Sequence, residues 1–83
     1  MSIIYDIKAW EIFRAVSKTG SLSIAASHCD VTVSTASRKL TLLEEAFGER
    51  LFVRESRPIV LTPAAVELLG YVDDLLQASQ RLQ

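Results

Sequence analysis

The chain has 83 residues, 49% of them hydrophobic and 23% charged, which is typical of one small globular domain and excludes a disordered or multidomain protein. Nine Lys and Arg residues against ten Asp and Glu give a net charge of −1, which by itself disfavours nucleic-acid binding. One cysteine, Cys29, and one histidine, His28, exclude an internal disulfide and a Cys/His zinc site, so Cys29 is expected to pack as a small residue near a helix end.

The first two predicted elements are helices joined at Gly20, which supplies the positive φ that ends the first. The first covers about residues 5–18, with Asp6 as its N-cap. A short second helix follows and is capped by Ser21 or Ser23. Apolar residues recur at helical spacing in both, and they are Ile7, Trp10, Ile12, Phe13, Val16, Leu22, Ala25 and Ala26.

The third predicted helix follows a brief turn at Asp30 and Val31. Thr32 is its N-cap, and Gly48 lies just beyond its last residue. Four apolar residues at three- and four-residue steps predict its buried stripe, namely Ala36, Leu40, Leu43 and Phe47. The polar residues of this helix are therefore left on its other faces.

A hairpin and a long last helix complete the predicted fold. The β-prone runs 51–54 and 59–61 flank a polar, basic tip and predict two strands that must pack on the helices, because an isolated hairpin is only marginally stable. Thr62 and Pro63 start a helix that runs to the C-terminus. Its apolar stripe exceeds what so short a chain can cover, which favours a two-helix dimer interface. The predicted interface residues are Leu68, Val72, Leu75, Leu76 and Leu82.

This order of elements predicts a mostly α fold of the winged helix-turn-helix type. Residues 1–62 would form a three-helix core with a two-stranded β-wing, the helix-turn-helix lying at about 21–40 and the wing at about 51–61. Residues 63–83 would form the linker and dimerisation helix.

The third helix has the side chains that a DNA recognition helix requires. Short polar and basic residues near its N-terminal end can reach base edges in the major groove, where the backbone N–H groups also face phosphates. Several Ser and Thr residues in its first two turns weaken a helix, so a binding surface explains them better than stability does. The predicted DNA contacts are Thr32, Val33, Ser34, Thr35, Ser37, Arg38 and Thr41, together with Arg54 and Arg57 of the wing.

Several ordered blocks resemble the N-terminal domain of LysR-type transcriptional regulators. They are residues 19–26, 31–38, 43–48, 51–54 and 61–64. The resemblance covers nearly the whole chain and implies sequence-specific binding of double-stranded DNA at an inverted-repeat operator. It also implies a homodimer formed through the last helix, with higher oligomers in a full-length protein. Val33 stands where the family usually has Gln, so we expect a different target sequence.

Members of that family usually continue into a larger C-terminal domain that binds a small effector. The 83 residues do not contain it, so we expect either a DNA-binding fragment or an unusually short protein, with no cofactor and no small-molecule ligand. No apolar run approaches the roughly 18–20 residues that span a bilayer, and no signal segment is recognisable. We therefore expect no membrane association and a cytoplasmic location.

Three alternatives remain at this point. An enzyme has little support, because the sequence offers no recognisable nucleophile, phosphate-binding loop or metal ligand set. A winged-helix module for protein interaction would use the long amphipathic helix, but four basic residues expected on one face argue against it, namely Arg38, Lys39, Arg54 and Arg57. A DNA-binding domain of the molybdate-responsive regulator type is similar, and the 51–54 block favours the LysR type.

Overall fold

The computed structural model describes residues 2–83 and has the predicted mostly α architecture: three helices, a two-stranded antiparallel wing and a long last helix. A 3₁₀ turn over Ile3–Tyr5 precedes the first helix. The elements are α1 (Ile7–Thr19), α2 (Leu22–His28), α3 (Val33–Phe47), β1 (Phe52–Val53), β2 (Val60–Leu61) and α4 (Pro63–Arg81). Within residues 2–83, none of the helices has the length and apolarity needed to cross a membrane.

Side-chain caps determine where the four helices begin. Each helix starts after a residue whose side-chain oxygen accepts a hydrogen bond of 3.1–3.4 Å from the backbone N–H three residues on. The capping residues are Asp6, Ser21, Thr32 and Thr62, which confirms the predicted starts. α1 and α3 end at Gly20 and Gly48, both at φ +67°, where glycine avoids the steric cost of a side chain.

The core lies between α1, α2, α3, the base of the wing and the inner face of α4. The ring of Phe13 is at its centre, in edge-to-face contact with Trp10 at 5.5 Å and with Phe52 at 5.3 Å between ring centroids. Cys29 is buried at the end of α2, as predicted. Burial raises the pKa of its thiol, and the nearby charge of Glu11 acts in the same direction.

Two apolar residues of the predicted helical series are exposed. Ile7 is the first residue of α1, and Phe47, predicted in the buried stripe, is the last residue of α3. Phe47 is 41% exposed, and its ring meets that of Trp10 edge to face with 5.9 Å between ring centroids. The prediction for Phe47 is therefore wrong, because the end of a helix extends past the surface on which its middle packs.

The wing is docked on the helices at both of its edges. The strands pair in the register Phe52↔Leu61 and Val53↔Val60. They are shorter than predicted because the flanking backbone groups bond to other elements. The Ile59 N–H donates to the Gly20 carbonyl at 2.9 Å, and the Leu51 N–H donates to the Glu44 carboxylate at 2.9 Å.

Gly20 is also where the wing comes closest to the helices. A Cβ placed on Gly20 would lie 2.5 Å from the Cβ of Pro58, which no side chain tolerates without displacement. Glycine at this position therefore permits both the left-handed end of α1 and the close approach of the wing.

Candidate nucleic-acid interface

The start of α3 presents short side chains to the surface, as a recognition helix requires. Thr32, Val33, Ser34 and Thr35 are all exposed, Val33 by 47% although it is apolar. The Thr32 hydroxyl caps the helix by accepting from the Thr35 N–H at 3.1 Å, and it donates to the Thr35 hydroxyl at 2.9 Å. This turn therefore offers hydroxyl groups beside one apolar side chain that makes no hydrogen bond.

The next turns of α3 add one long cation. Arg38 is exposed, and no carboxylate pairs with it within residues 2–83. Ser37 and Thr41 are half-buried, and the Thr41 hydroxyl donates to the Ser37 carbonyl at 3.0 Å. Because that bond uses the donor of Thr41, its hydroxyl has only acceptor capacity left for a ligand.

A shallow groove of about 330 Å³ lies between the wing, the start of α3 and the segment that joins α1 to α2. It is lined by Gly20, Ser21, Leu22, Ser23, Val33, Arg57 and Ile59. The groove thus brings Arg57 of the wing to the same side of the molecule as the first residue of α3. Nη1 of Arg57 donates to the backbone carbonyls of Arg54 and Ser56, which leaves the other guanidinium donors available.

Two of the four basic residues expected on this face are bound to carboxylates instead. Lys39 forms an ion pair with Asp6, the N-cap of α1. Nη2 of Arg54 donates to Oε1 of Glu44 at 3.0 Å, and its Nε is buried with no hydrogen-bond partner in the described part of the chain. The guanidinium of Arg54 thus joins the wing to α3, and its contact with DNA stays a prediction.

Although the net charge is near zero, not all positive side chains are paired with carboxylates. Five ion pairs use five of the nine cations. The cations without a carboxylate partner across residues 2–83 are Lys18, Arg38, Arg57 and Arg81. Of these, only Arg38 and Arg57 belong to α3 or to the wing, so these two elements together carry two cations without a carboxylate partner in each protomer.

The predicted interface residues of α4 are divided between the core and the surface. Val72 and Leu76 are only 3% and 2% exposed, because they pack in the core of their own protomer. Their place in a dimer interface stays a prediction, and Val72 also lines an apolar groove on this face of α4. Leu68 is half-buried, whereas Leu75 and Leu82 are exposed.

An apolar groove of about 310 Å³ extends the exposed part of α4. It is lined by Ile4, Trp10, Phe47, Leu68, Tyr71, Val72 and Leu75. Tyr71 is 76% exposed and was not among the predicted interface residues, although its spacing of three residues from Leu68 and four from Leu75 contained the signal. The role of Glu44 was not predicted either. Glu44 and Arg54 stand in the blocks 43–48 and 51–54 that carry the family resemblance, but their contact depends on the turn that the chain makes after α3.

The family model described as "Bacterial regulatory helix-turn-helix protein, lysR family" matches residues 7–66. The chain belongs to this family. The matched residues run from the start of α1 through the wing into α4, so the chain carries the helix-turn-helix DNA-binding domain of the lysR family. The match confirms the resemblance found in the sequence and favours the LysR type over the molybdate-responsive type.

Curated relatives of the lysR-family domain are named as transcriptional regulators. The HTH-type transcriptional regulator BlaA of Streptomyces cacaoi is 40% identical over 76 residues, covering 92% of this chain and 21% of BlaA. MetR of Escherichia coli K12 is 38% identical over 79 residues, covering 94% of this chain and 25% of MetR. The chain therefore spans about a quarter or less of the length of these relatives.

Solved structures of lysR-family proteins have the same fold. The BenM DNA-binding domain in its complex with catB site 1 DNA has a TM-score of 0.84 and 29% identity, covering 92% of this chain and 82% of that one. Vibrio fischeri DarR in complex with DNA has a TM-score of 0.84 and 32% identity, covering 90% of this chain and 26% of DarR. Both neighbours are therefore seen with the class of partner that the sequence predicts.

Proposed function

We propose that this chain binds double-stranded DNA sequence-specifically as a homodimer and thereby regulates transcription. The start of α3 would enter the major groove, and Arg57 of the wing would contact the adjacent backbone. The observation that carries this proposal is the placement of Arg38 and Arg57, the two cations of α3 and the wing that have no carboxylate partner within residues 2–83. The DNA complexes of BenM and DarR support it.

Within this proposal, residues 1–62 are the DNA-binding part and residues 63–83 are the linker and dimerisation helix. The apolar groove around Tyr71 and Leu75 is the surface that a second copy would cover, because it leaves large apolar side chains in water. A two-fold dimer reads an inverted repeat in successive major grooves. Higher oligomers would belong to a full-length protein.

The proposal assigns no catalysis, cofactor or small-molecule ligand to these residues, since the curated relatives are transcriptional regulators. A protein acting on bacterial chromosomal DNA would be cytoplasmic.

DNA binding is tested by selecting duplexes from a randomised library and measuring affinity by fluorescence anisotropy across salt concentrations. Arg38 and Arg57 give two cations per protomer and four per dimer. If all four contact phosphates, the logarithm of the association constant should fall with the logarithm of the salt concentration with a slope of at most about 3.6. A flat salt dependence, or equal affinity for selected and scrambled duplexes, would refute the proposal.

Dimerisation is tested by sedimentation of Leu75→Glu, with Val66→Glu as the matched control. Both residues are exposed on α4, but Val66 lies nine positions before Leu75 and thus on the opposite side of the helix. We expect Leu75→Glu to be monomeric and Val66→Glu to stay dimeric. A dimeric Leu75→Glu would place the interface elsewhere.

A further inference from the structure

The carboxylate of Glu44 joins α3 to the wing through three hydrogen bonds. Oε2 accepts from the backbone N–H groups of Leu51 at 2.9 Å and Phe52 at 3.3 Å, and Oε1 accepts from Nη2 of Arg54 at 3.0 Å. The Glu44 side chain is only 17% exposed, so little water competes with these bonds. All three partners belong to β1 or to the residues beside it.

A continuous set of contacts leads from Glu44 to the proposed DNA contact of the wing. Arg54 is held by Glu44, and the backbone carbonyl of Arg54 accepts from Nη1 of Arg57. Arg57 and Val33, the first residue of α3, line the same groove. The position of Arg57 relative to α3 therefore depends on how β1 is attached to Glu44.

We propose that Glu44 is a positioning residue for DNA binding: it holds the wing at the distance from α3 at which Arg38 and Arg57 engage one duplex together. This inference rests on the proposed function. Glu44 itself bears a negative charge and does not contact the phosphates. It acts by ordering the wing before DNA arrives, so that binding does not have to order it.

If Glu44 served only to stabilise the fold, the DNA binding of its variants would differ from that expected for a positioning residue. Charge-assisted hydrogen bonds of this kind stabilise the folded state, so removing them lowers the unfolding temperature in either case. If stability were the only role, molecules that remain folded would bind DNA with the same salt dependence as the unmodified protein. If Glu44 positions the wing, Arg57 would no longer reach the duplex even in folded molecules.

The test compares Glu44→Gln with Glu45→Gln, the same change one residue further along α3. Glu45 is exposed, and its side chain makes no hydrogen bond or ion pair in the described structure. Affinity for a selected duplex is measured across salt at a temperature where circular dichroism shows every variant folded. Arg57→Ala and the double variant with Glu44→Gln complete the set.

We expect Glu44→Gln to reduce the salt slope by about 1.8, which is about 0.9 for each of the two phosphates that Arg57 no longer reaches in a dimer. Arg57→Ala should reduce the slope equally, the double variant should reduce it no further, and Glu45→Gln should leave it unchanged. A Glu44→Gln protein that keeps the full slope while Arg57→Ala does not would overturn the inference. If Glu44→Gln does not fold, Arg54→Met removes one of the three hydrogen bonds of the attachment from the wing side, and its effect is read from the motion of the wing amides in the free protein rather than from the salt slope.

A second measurement is independent of DNA. In the free protein, ¹⁵N relaxation of the Glu44→Gln variant should show faster motion of the wing amides, with the helices unchanged. A wing as ordered as in the unmodified protein would overturn the inference even if no duplex binds. Failure of the unmodified protein to bind any selected duplex would instead refute the proposed function.

Discussion

Gly20 and Gly48 form a natural matched pair for measuring how firmly the wing is docked. Each lies immediately after a helix at φ +67°, so alanine has the same backbone penalty at both positions. The surroundings differ: an added Cβ would lie 2.5 Å from Pro58 at Gly20, whereas at Gly48 nothing lies within 4 Å. The difference between the two variants therefore isolates the contact between Gly20 and the wing.

The expected magnitudes follow from these distances. Gly48→Ala should lower the free energy of unfolding by about 1 kcal/mol, the net cost of a left-handed alanine. Gly20→Ala should lower it by that amount and by about 1–3 kcal/mol more, because the rigid ring of Pro58 must move. In a domain of this size, each kcal/mol lowers Tm by about 4–8 °C.

Urea denaturation followed by far-UV circular dichroism measures the stability of both variants. All variants must be compared at one protein concentration, since dimerisation would couple stability to concentration. In fully folded samples, Gly20→Ala should also weaken DNA binding more than Gly48→Ala, because it displaces the wing. Equal decreases of stability at the two positions would contradict the docking of the wing on Gly20.

Three further predictions concern single residues. If Arg38 reads a base edge, Arg38→Ala should weaken the free energy of DNA binding by about 1–3 kcal/mol and relax the preference at one base pair. An equal loss of affinity for all duplexes in anisotropy titrations would instead make Arg38 a phosphate contact. If Val33 contacts a thymine methyl, replacing that thymine by uracil should weaken DNA binding by about 0.8 kcal/mol, roughly fourfold in affinity. The affinity of Val33→Ala should not change when thymine is replaced by uracil. Burial alone would raise the pKa of Asp6, but the hydrogen bonds from Lys39 and from the Ala9 N–H, with the Lys39 charge, hold that pKa below its ordinary value. The ionised Asp6 carboxylate therefore contributes its full stabilisation of the fold above the pKa of the unfolded chain, and this contribution is lost as pH falls through the lower pKa of the folded protein. Asp6→Asn keeps the cap but loses the ion pair, so its free energy of unfolding in urea should be lower than that of the unmodified protein at about pH 6. This difference should shrink towards about pH 3, and a difference that does not change with pH would contradict the ion pair.

The helix boundaries were accessible from the sequence because they depend on local interactions. A cap such as Thr32 bonds to a backbone N–H three residues away, and a glycine such as Gly48 relieves strain at its own position. The polar face of α3 was predictable for the same reason, since a helical period of 3.6 residues relates Ala36 and Leu40 to the exposed residues between them.

The faces of α4 were only partly predictable. Periodicity identified an apolar stripe, but it could not decide which of its residues lie against the same protomer. Val72 and Leu76 are covered because α4 lies along α1, whereas Leu75 is left exposed beside them. That division depends on the angle at which the two helices pack, and no local pattern encodes it.

The order of the elements, their caps and the family of the domain follow from the amino-acid sequence alone. Packing decides which cations lack a carboxylate partner within residues 2–83. Arg54 is bound to Glu44 and Lys39 to Asp6, whereas Arg38 and Arg57 are not paired. The paired residues are ten and thirty-three positions apart along the chain. Such pairs form only when packing brings distant segments within about 4 Å, so the charge available to DNA is a property of the fold.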